Sequence, residues 1–89
     1  MKVTYDEAKN AKNINERQLS FANAVDFEFS TALISKDDRK NYGEDRYSAL
    51  GLLHGRVHAL VFTFTADGIR VISFRKANKR EVQKYGNSK

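Results

Sequence analysis

RVHALVFTFTADGIRVISFRKANKREVQKY, residues 56–85, is the stretch on which the fold turns. Two alternating apolar runs flank Asp67-Gly68, and a short basic segment follows them. Asp-Gly between alternating runs predicts a hairpin, with both turn residues at positive φ in a type I′ geometry. Side chains alternate across a strand, so Leu60, Phe62 and Phe64 share one side, matched by Ile72 and Phe74 of the partner run. The other side holds Val57, Ala59, Val61, Thr63, Thr65, Val71, Ser73 and Arg75. It is smaller and more polar, and it suits an open, concave surface. Arg75 projects from it unless a bulge shifts the register.

Working outward, His54-Gly55 fits a second two-residue turn, joining a strand over Arg46–Leu53 to one over Arg56–Ala66. Ile69–Ala77 forms the next strand, and Ser30–Ser35 the one before Arg46. After the hairpin, Asn78 and Glu81 have the spacing of a capping box, opening a helix that Gly86 should close. Upstream, Met1–Tyr5 reads as a short strand. A helix over about 6–16 follows, capped by Thr4 with Glu7 or by Asp6, with a thin apolar face of Ala8, Ala11 and Ile14. Ser20 caps a second helix whose buried face is Phe21, Ala24 and Val25. Phe27 and Phe29 continue into the core. Arg17-Gln18-Leu19 must turn the chain between the two helices without glycine or proline.

The expected order is β-α-α-β-β-β-β-α. This is an α+β fold, with an antiparallel meander, two N-terminal helices on one face and a short C-terminal helix. At 89 residues the chain has room for a single domain, 1–89. Apolar residues make up 40% and charged residues 30%, as in a folded domain and unlike a disordered tail. There is no cysteine, which excludes disulfides and thiolate zinc sites. No stretch has the length and apolarity of a membrane span, and the N-terminus lacks the apolar run of a signal peptide, so the expected location is cytoplasmic.

The net charge of +5 is unevenly placed. Residues 1–69 hold nine Lys or Arg against ten Asp or Glu, and residues 70–89 hold seven against one. The excess therefore lies in Arg70, Arg75, Lys76, Lys79, Arg80, Lys84 and Lys89, offset by Glu81. Such a cluster attracts polyanions, with a solvated, solubilising tail as the alternative.

The chain lacks a phosphate-binding glycine loop, a nucleophile elbow and a paired-carboxylate motif, and no metal or cofactor is expected. His54 reads as a turn residue and His58 as a rim residue. Cleaving RNA through its own 2′-hydroxyl needs a proton acceptor, cations to steady the phosphate, and a proton for the leaving oxygen. Arginine suits the second task and not the first. Candidates for moving a proton are Glu44, Glu81, His54, Tyr85 or a lysine. Residue types alone leave a binding module and a nuclease both open.

Three blocks carry a resemblance: YDEAKNAKNINERQLSF at 5–21, DDRKNYGEDRYSALGLLHGR at 37–56 and IRVISFRKANKREVQKY at 69–85. Together they resemble the BrnT family, toxins of type II toxin–antitoxin pairs. The resemblance implies a RelE-like ribonuclease fold, RNA cleavage that halts translation, a BrnA-like antitoxin, and a 2:2 complex that binds operator DNA. Residue by residue, it implies catalytic roles for Arg75, Arg46 and Arg17. Arg17 stands where family members commonly carry the histidine of a Lys-His-Gly element, which is Glu16-Arg17-Gln18 here. It implies RNA contacts from Arg70, Lys76, Lys79, Arg80 and Tyr85. Each has a plainer alternative: a strand-end salt bridge for Arg75, edge protection for Arg70 and Lys76, a structural place for Arg46, solvation for Arg80, core packing for Tyr85. The other function class is a non-catalytic nucleic-acid or antitoxin-binding module.

Overall fold

A computed structural model describes all 89 residues. The strands are β1 (Lys2–Tyr5), β2 (Leu33–Asp37), β3 (Arg46–Leu53), β4 (Arg56–Phe64) and β5 (Gly68–Lys76). The helices are α1 (Glu7–Arg17) and α2 (Lys79–Asn87), and two short 3-10 segments cover Phe21–Asp26 and Phe29–Thr31. The sheet order is β1-β5-β4-β3-β2. Strands β2 to β5 form the expected antiparallel meander, but β1 joins parallel to β5, so the sheet is mixed.

Of the two expected tight turns, one forms and the other does not. At His54-Gly55, φ is 50° and 81°, and Leu53 pairs with Arg56; this is the tight hairpin with two positive φ values. Asp67-Gly68 takes no positive φ. The β4–β5 loop is longer, with the Thr65 amide donating to the Gly68 carbonyl at 2.9 Å. Gly68 is a glycine for another reason. It pairs with Lys2, and a Cβ there would sit 1.9 Å from the Lys2 carbonyl oxygen. The missing side chain lets the first strand close on the last.

Residues Phe21, Ala24 and Phe27 are buried, while Val25 is 58% exposed. The segment is a 3-10 helix, whose three-residue period places 21, 24 and 27 on one side, and Val25 falls off it. Ser20 caps it as expected, its hydroxyl accepting from the Ala22 amide at 3.1 Å. Phe21, Ala24 and Phe27 pack on Leu60, Phe62, Phe74, Ile69 and Val71. Phe27 meets Phe29 and Phe74 edge to face, and a Cβ at Gly51 would stand 2.6 Å from the Phe27 ring. Such aromatic pairs are each worth about 0.5–1.5 kcal/mol beyond their buried area.

Helix α1 does not lie over the sheet as expected. Ala8, Ala11 and Ile14 are exposed, and Asn10 is the buried residue of the helix. Its Oδ1 accepts from the Phe21 amide at 2.8 Å. Asn13 Nδ2 donates to the Leu19 carbonyl at 2.9 Å and to the Phe74 carbonyl of β5 at 3.0 Å. Strand β1 covers only the first residues of β5, and beyond them the Asn13 side-chain amide of α1 meets the edge at the Phe74 carbonyl. Asp6, not Thr4, caps α1, accepting from the Lys9 amide at 3.0 Å. Gln18 makes the glycine-free turn at φ 54°.

Helix α2 packs on β3 and β4. The Asn78–Glu81 capping box is formed in both directions, at 2.8 and 2.9 Å. Gly86 does not close the helix; it lies inside it, and Ser88 is the cap.

Candidate functional site

A β-bulge decides which cations share a surface. Val61 pairs with Ser73, but the next residue, Phe62, pairs with Val71, so Ile72 is the extra residue on β5. Beyond the bulge the parity of β5 inverts. Val71, expected on the open side, is 2% exposed and lies in the core; Ile72, expected in the core, is half-buried beside Lys9, Lys12 and Asn13 of α1. Phe64 keeps its side of the sheet but stands at the strand end, 63% exposed. The inversion places Arg70 opposite Thr63 on the surface that already carries Arg75 opposite Ala59. The two arginines are four positions apart along β4, about 13 Å.

The Arg70 end is a closed ion cluster. Arg70 Nη2 donates to both oxygens of Glu44 at 2.7 and 2.8 Å, and Arg46 Nε donates to Oε2 at 3.1 Å. The Arg46 guanidinium also stacks 4.1 Å from the centre of the Tyr42 ring. These hydrogen bonds, from Arg46 first and then Arg70, hold the Glu44 carboxyl below its usual range.

The Arg75 end is more open. Arg75 Nη1 and Nη2 donate to the two Glu81 oxygens at 2.8 and 3.0 Å. That fork lowers the Glu81 carboxyl and raises the guanidinium further above its ordinary value. Glu81 therefore serves the cap of α2 and the charge of Arg75 together. Around the pair lies a hollow of about 340 Å³, with Ser35, Ser48, Ala59 and Val61 as its small-residue floor and Arg39, Arg80 and Lys84 at its walls.

Arg75 also borders a second cleft, of about 370 Å³, at the sheet edge between the C-terminus of α1 and the end of β5. Arg17, Gln18, Leu19, His58 and Lys76 complete it. No carboxylate lines this cleft, so its side chains suit an anion and not a cation. No three His, Asp or Glu side chains of the chain gather as a metal-ligand set.

Of the expected site residues, Arg17, Arg75 and Lys76 come together at this cleft, and Arg80 lines the adjoining hollow. Arg46 and Arg70 meet each other at Glu44 instead. Lys79 is exposed on the first turn of α2. Tyr85 is 8% exposed, as expected of a packing residue, with Lys89 Nζ 4.5 Å from its ring centre. His54 is exposed and contacts Asp26 at 3.1 Å.

His58 is not the rim residue its position implied. It is 5% exposed, its ring lies 5.6 Å from that of Phe74, and Nδ1 donates to the Arg56 carbonyl at 2.8 Å. Burial holds the imidazole below its ordinary value, and Arg56, Lys76 and His54 add to the effect. The signal was legible: His58 has the strand parity of Leu60 and Phe62.

A mixed five-stranded sheet, with arginines gathered on its open face and at one edge, defines a small α+β domain with a cation-lined cleft. A family profile described as "Ribonuclease toxin, BrnT, of type II toxin-antitoxin system" matches residues 5–81, and the chain belongs to that family. Membership makes RNA its substrate class and implies an antitoxin partner. A search of curated proteins found no significant match. No helix is long and apolar enough to cross a membrane.

Proposed function

We propose that this chain is a metal-independent endoribonuclease of RelE-like fold that halts translation in the cytoplasm. A BrnA-like antitoxin neutralises it in a 2:2 complex that binds operator DNA. The observation that carries the reading is the place of Arg75, at the junction of the sheet hollow and the edge cleft. A strand crossing the Ser48–Val61 floor would meet Arg39, Arg80 and Lys84 along the way and Arg17, Arg75 and Lys76 at the end. Guanidinium groups fixed there steady the charge that builds on phosphorus as the neighbouring 2′-hydroxyl attacks, and the cleft holds that hydroxyl in line. Arg46 and Arg70 act one step back, holding the far end of the surface through Glu44. Lys79 adds to the field that draws RNA in.

A second reading has its own support. The Arg75 and Arg70 guanidiniums are both occupied by carboxylates, and Arg17 stands where the resemblance expects a histidine. A chain so arranged could hold RNA or its antitoxin without cutting.

Purified protein incubated with a structured RNA in excess chelator separates the two. The nuclease reading expects fragments ending in cyclic phosphate, and a loss of about 10²–10³-fold in rate for Arg75→Ala. Binding with no fragments at high protein concentration selects the second reading.

A further inference from the structure

We propose that His58 is the proton acceptor of this site, taking the 2′-hydroxyl proton of RNA on Nε2 while Arg17, Arg75 and Lys76 hold the adjacent phosphate. The inference rests on the ribonuclease reading above and assigns it a residue.

Three observations carry it. The ring is fixed. Nδ1 faces the Arg56 carbonyl at 2.8 Å, and a carbonyl only accepts, so Nδ1 bears the proton and Nε2 bears the lone pair. That lone pair is free, because Nε2 has no partner within the protein. It also keeps some access to solvent: no fully buried side-chain nitrogen or oxygen in the chain lacks a hydrogen bond, so the unpartnered Nε2 is not sealed in, and His58 lines the cleft.

The surroundings keep the ring neutral until substrate arrives. The charged and titratable groups that act on it or share its cleft are cationic or basic: Arg56 and His54 from the β3–β4 turn, Lys76 and Arg75 from β5, Arg17 from α1. Burial acts in the same direction, so the imidazole is unprotonated near neutral pH. A phosphate entering the cleft reverses that field and favours the imidazolium at the moment it forms.

The step balances. Nε2 takes the proton and the 2′-oxygen bonds to phosphorus. The bond from phosphorus to the 5′-oxygen breaks, and that oxygen takes a proton from solvent. The imidazolium then returns its proton to solvent, leaving a 2′,3′-cyclic phosphate and a 5′-hydroxyl. Arg17, permanently charged, cannot take this proton. Arg17 and His58 border one cleft.

The test uses His58→Asn, whose amide keeps the donor to the Arg56 carbonyl and removes the distal acceptor. With a short single-stranded RNA, the variant should bind as the full protein does and cleave about 10²–10⁴-fold more slowly. In the unsubstituted protein, rate should fall on the acid side of neutrality. The acid limb of kcat should lie at higher pH than that of kcat/KM, since bound phosphate raises the imidazole; His58→Asn should lack both limbs. A variant that cleaves within threefold of the parent with an unchanged pH profile overturns the assignment and leaves the nuclease reading intact. A parent protein that binds the RNA but never cuts it overturns both.

Discussion

Glu81→Gln isolates the charge proposed to face RNA from the structure that carries it. Glu81 makes two kinds of contact: its carboxylate receives the Arg75 fork at 2.8 and 3.0 Å, and it closes the capping box on the Asn78 amide at 2.9 Å. Glutamine can still serve in a capping box, so the cap survives. What is lost is the charge-assisted part of a pair whose side chains are 36% and 23% exposed, which solvent screening holds to roughly 1 kcal/mol. For a domain of this size that lowers Tm by about 4–8 °C. Binding should move the opposite way. In the parent, phosphate must displace a carboxylate from Arg75; in Glu81→Gln it meets a bare guanidinium. One more neutralised phosphate steepens the dependence of log K on log salt by about 0.7 for a single strand. Affinity at low salt should rise about 5–10-fold, about 1–1.4 kcal/mol. Fluorescence anisotropy of a labelled RNA across a salt series measures both. In an Arg75→Ala background the gain should vanish, since the pair is then already broken. An unchanged slope, or a gain that persists without Arg75, would refute the claim that Arg75 is a phosphate contact masked by Glu81.

Two further predictions concern the fold. Gly68→Ala drives a Cβ into the Lys2 carbonyl, and separating β1 from β5 should cost about 1–3 kcal/mol in urea denaturation; no loss would mean that β1 is not seated there. Stability should fall with acid in two stages. The carboxyls of Asp37, held at about 2 chiefly by Arg39, of Glu44, lowered chiefly by Arg46, and of Glu81, lowered chiefly by Arg75, take protons more readily once unfolded. Their contribution is complete above the ordinary carboxylate range of about 4 and is lost as pH drops toward 2. His58 is likewise lowered in the fold, so the unfolded histidine protonates first and stability declines from about pH 6.5 downward. Denaturant titrations over pH 2–8 should show both stages, and His58→Asn should remove only the upper one.

Local chemistry was legible in the sequence wherever neighbours along the chain settle it. Ser20 and the Asn78–Glu81 pair cap the helices they precede, and His54-Gly55 makes the tight turn, because these contacts span three residues or fewer. Alternation placed Arg75 on the open face of β5 and kept it out of the phenylalanine core, because nothing intervenes between it and Phe74. What only tertiary structure decided involves partners distant in the chain. Strand β1 sits beside β5 because Gly68 leaves room for the Lys2 backbone. Helix α1 docks through Asn10 and Asn13 and not through its alanines, because it meets polar backbone groups, the Phe21 amide and the Leu19 and Phe74 carbonyls, and not an apolar face. The bulge at Ile72, invisible to a two-residue period, turned Arg70 to the same side as Arg75. The cleft itself exists only because the end of α1 comes to rest against the last residues of β5, bringing Arg17 to His58 across forty residues of chain. Periodicity reports which way a side chain points; only packing between distant segments reports what it points at.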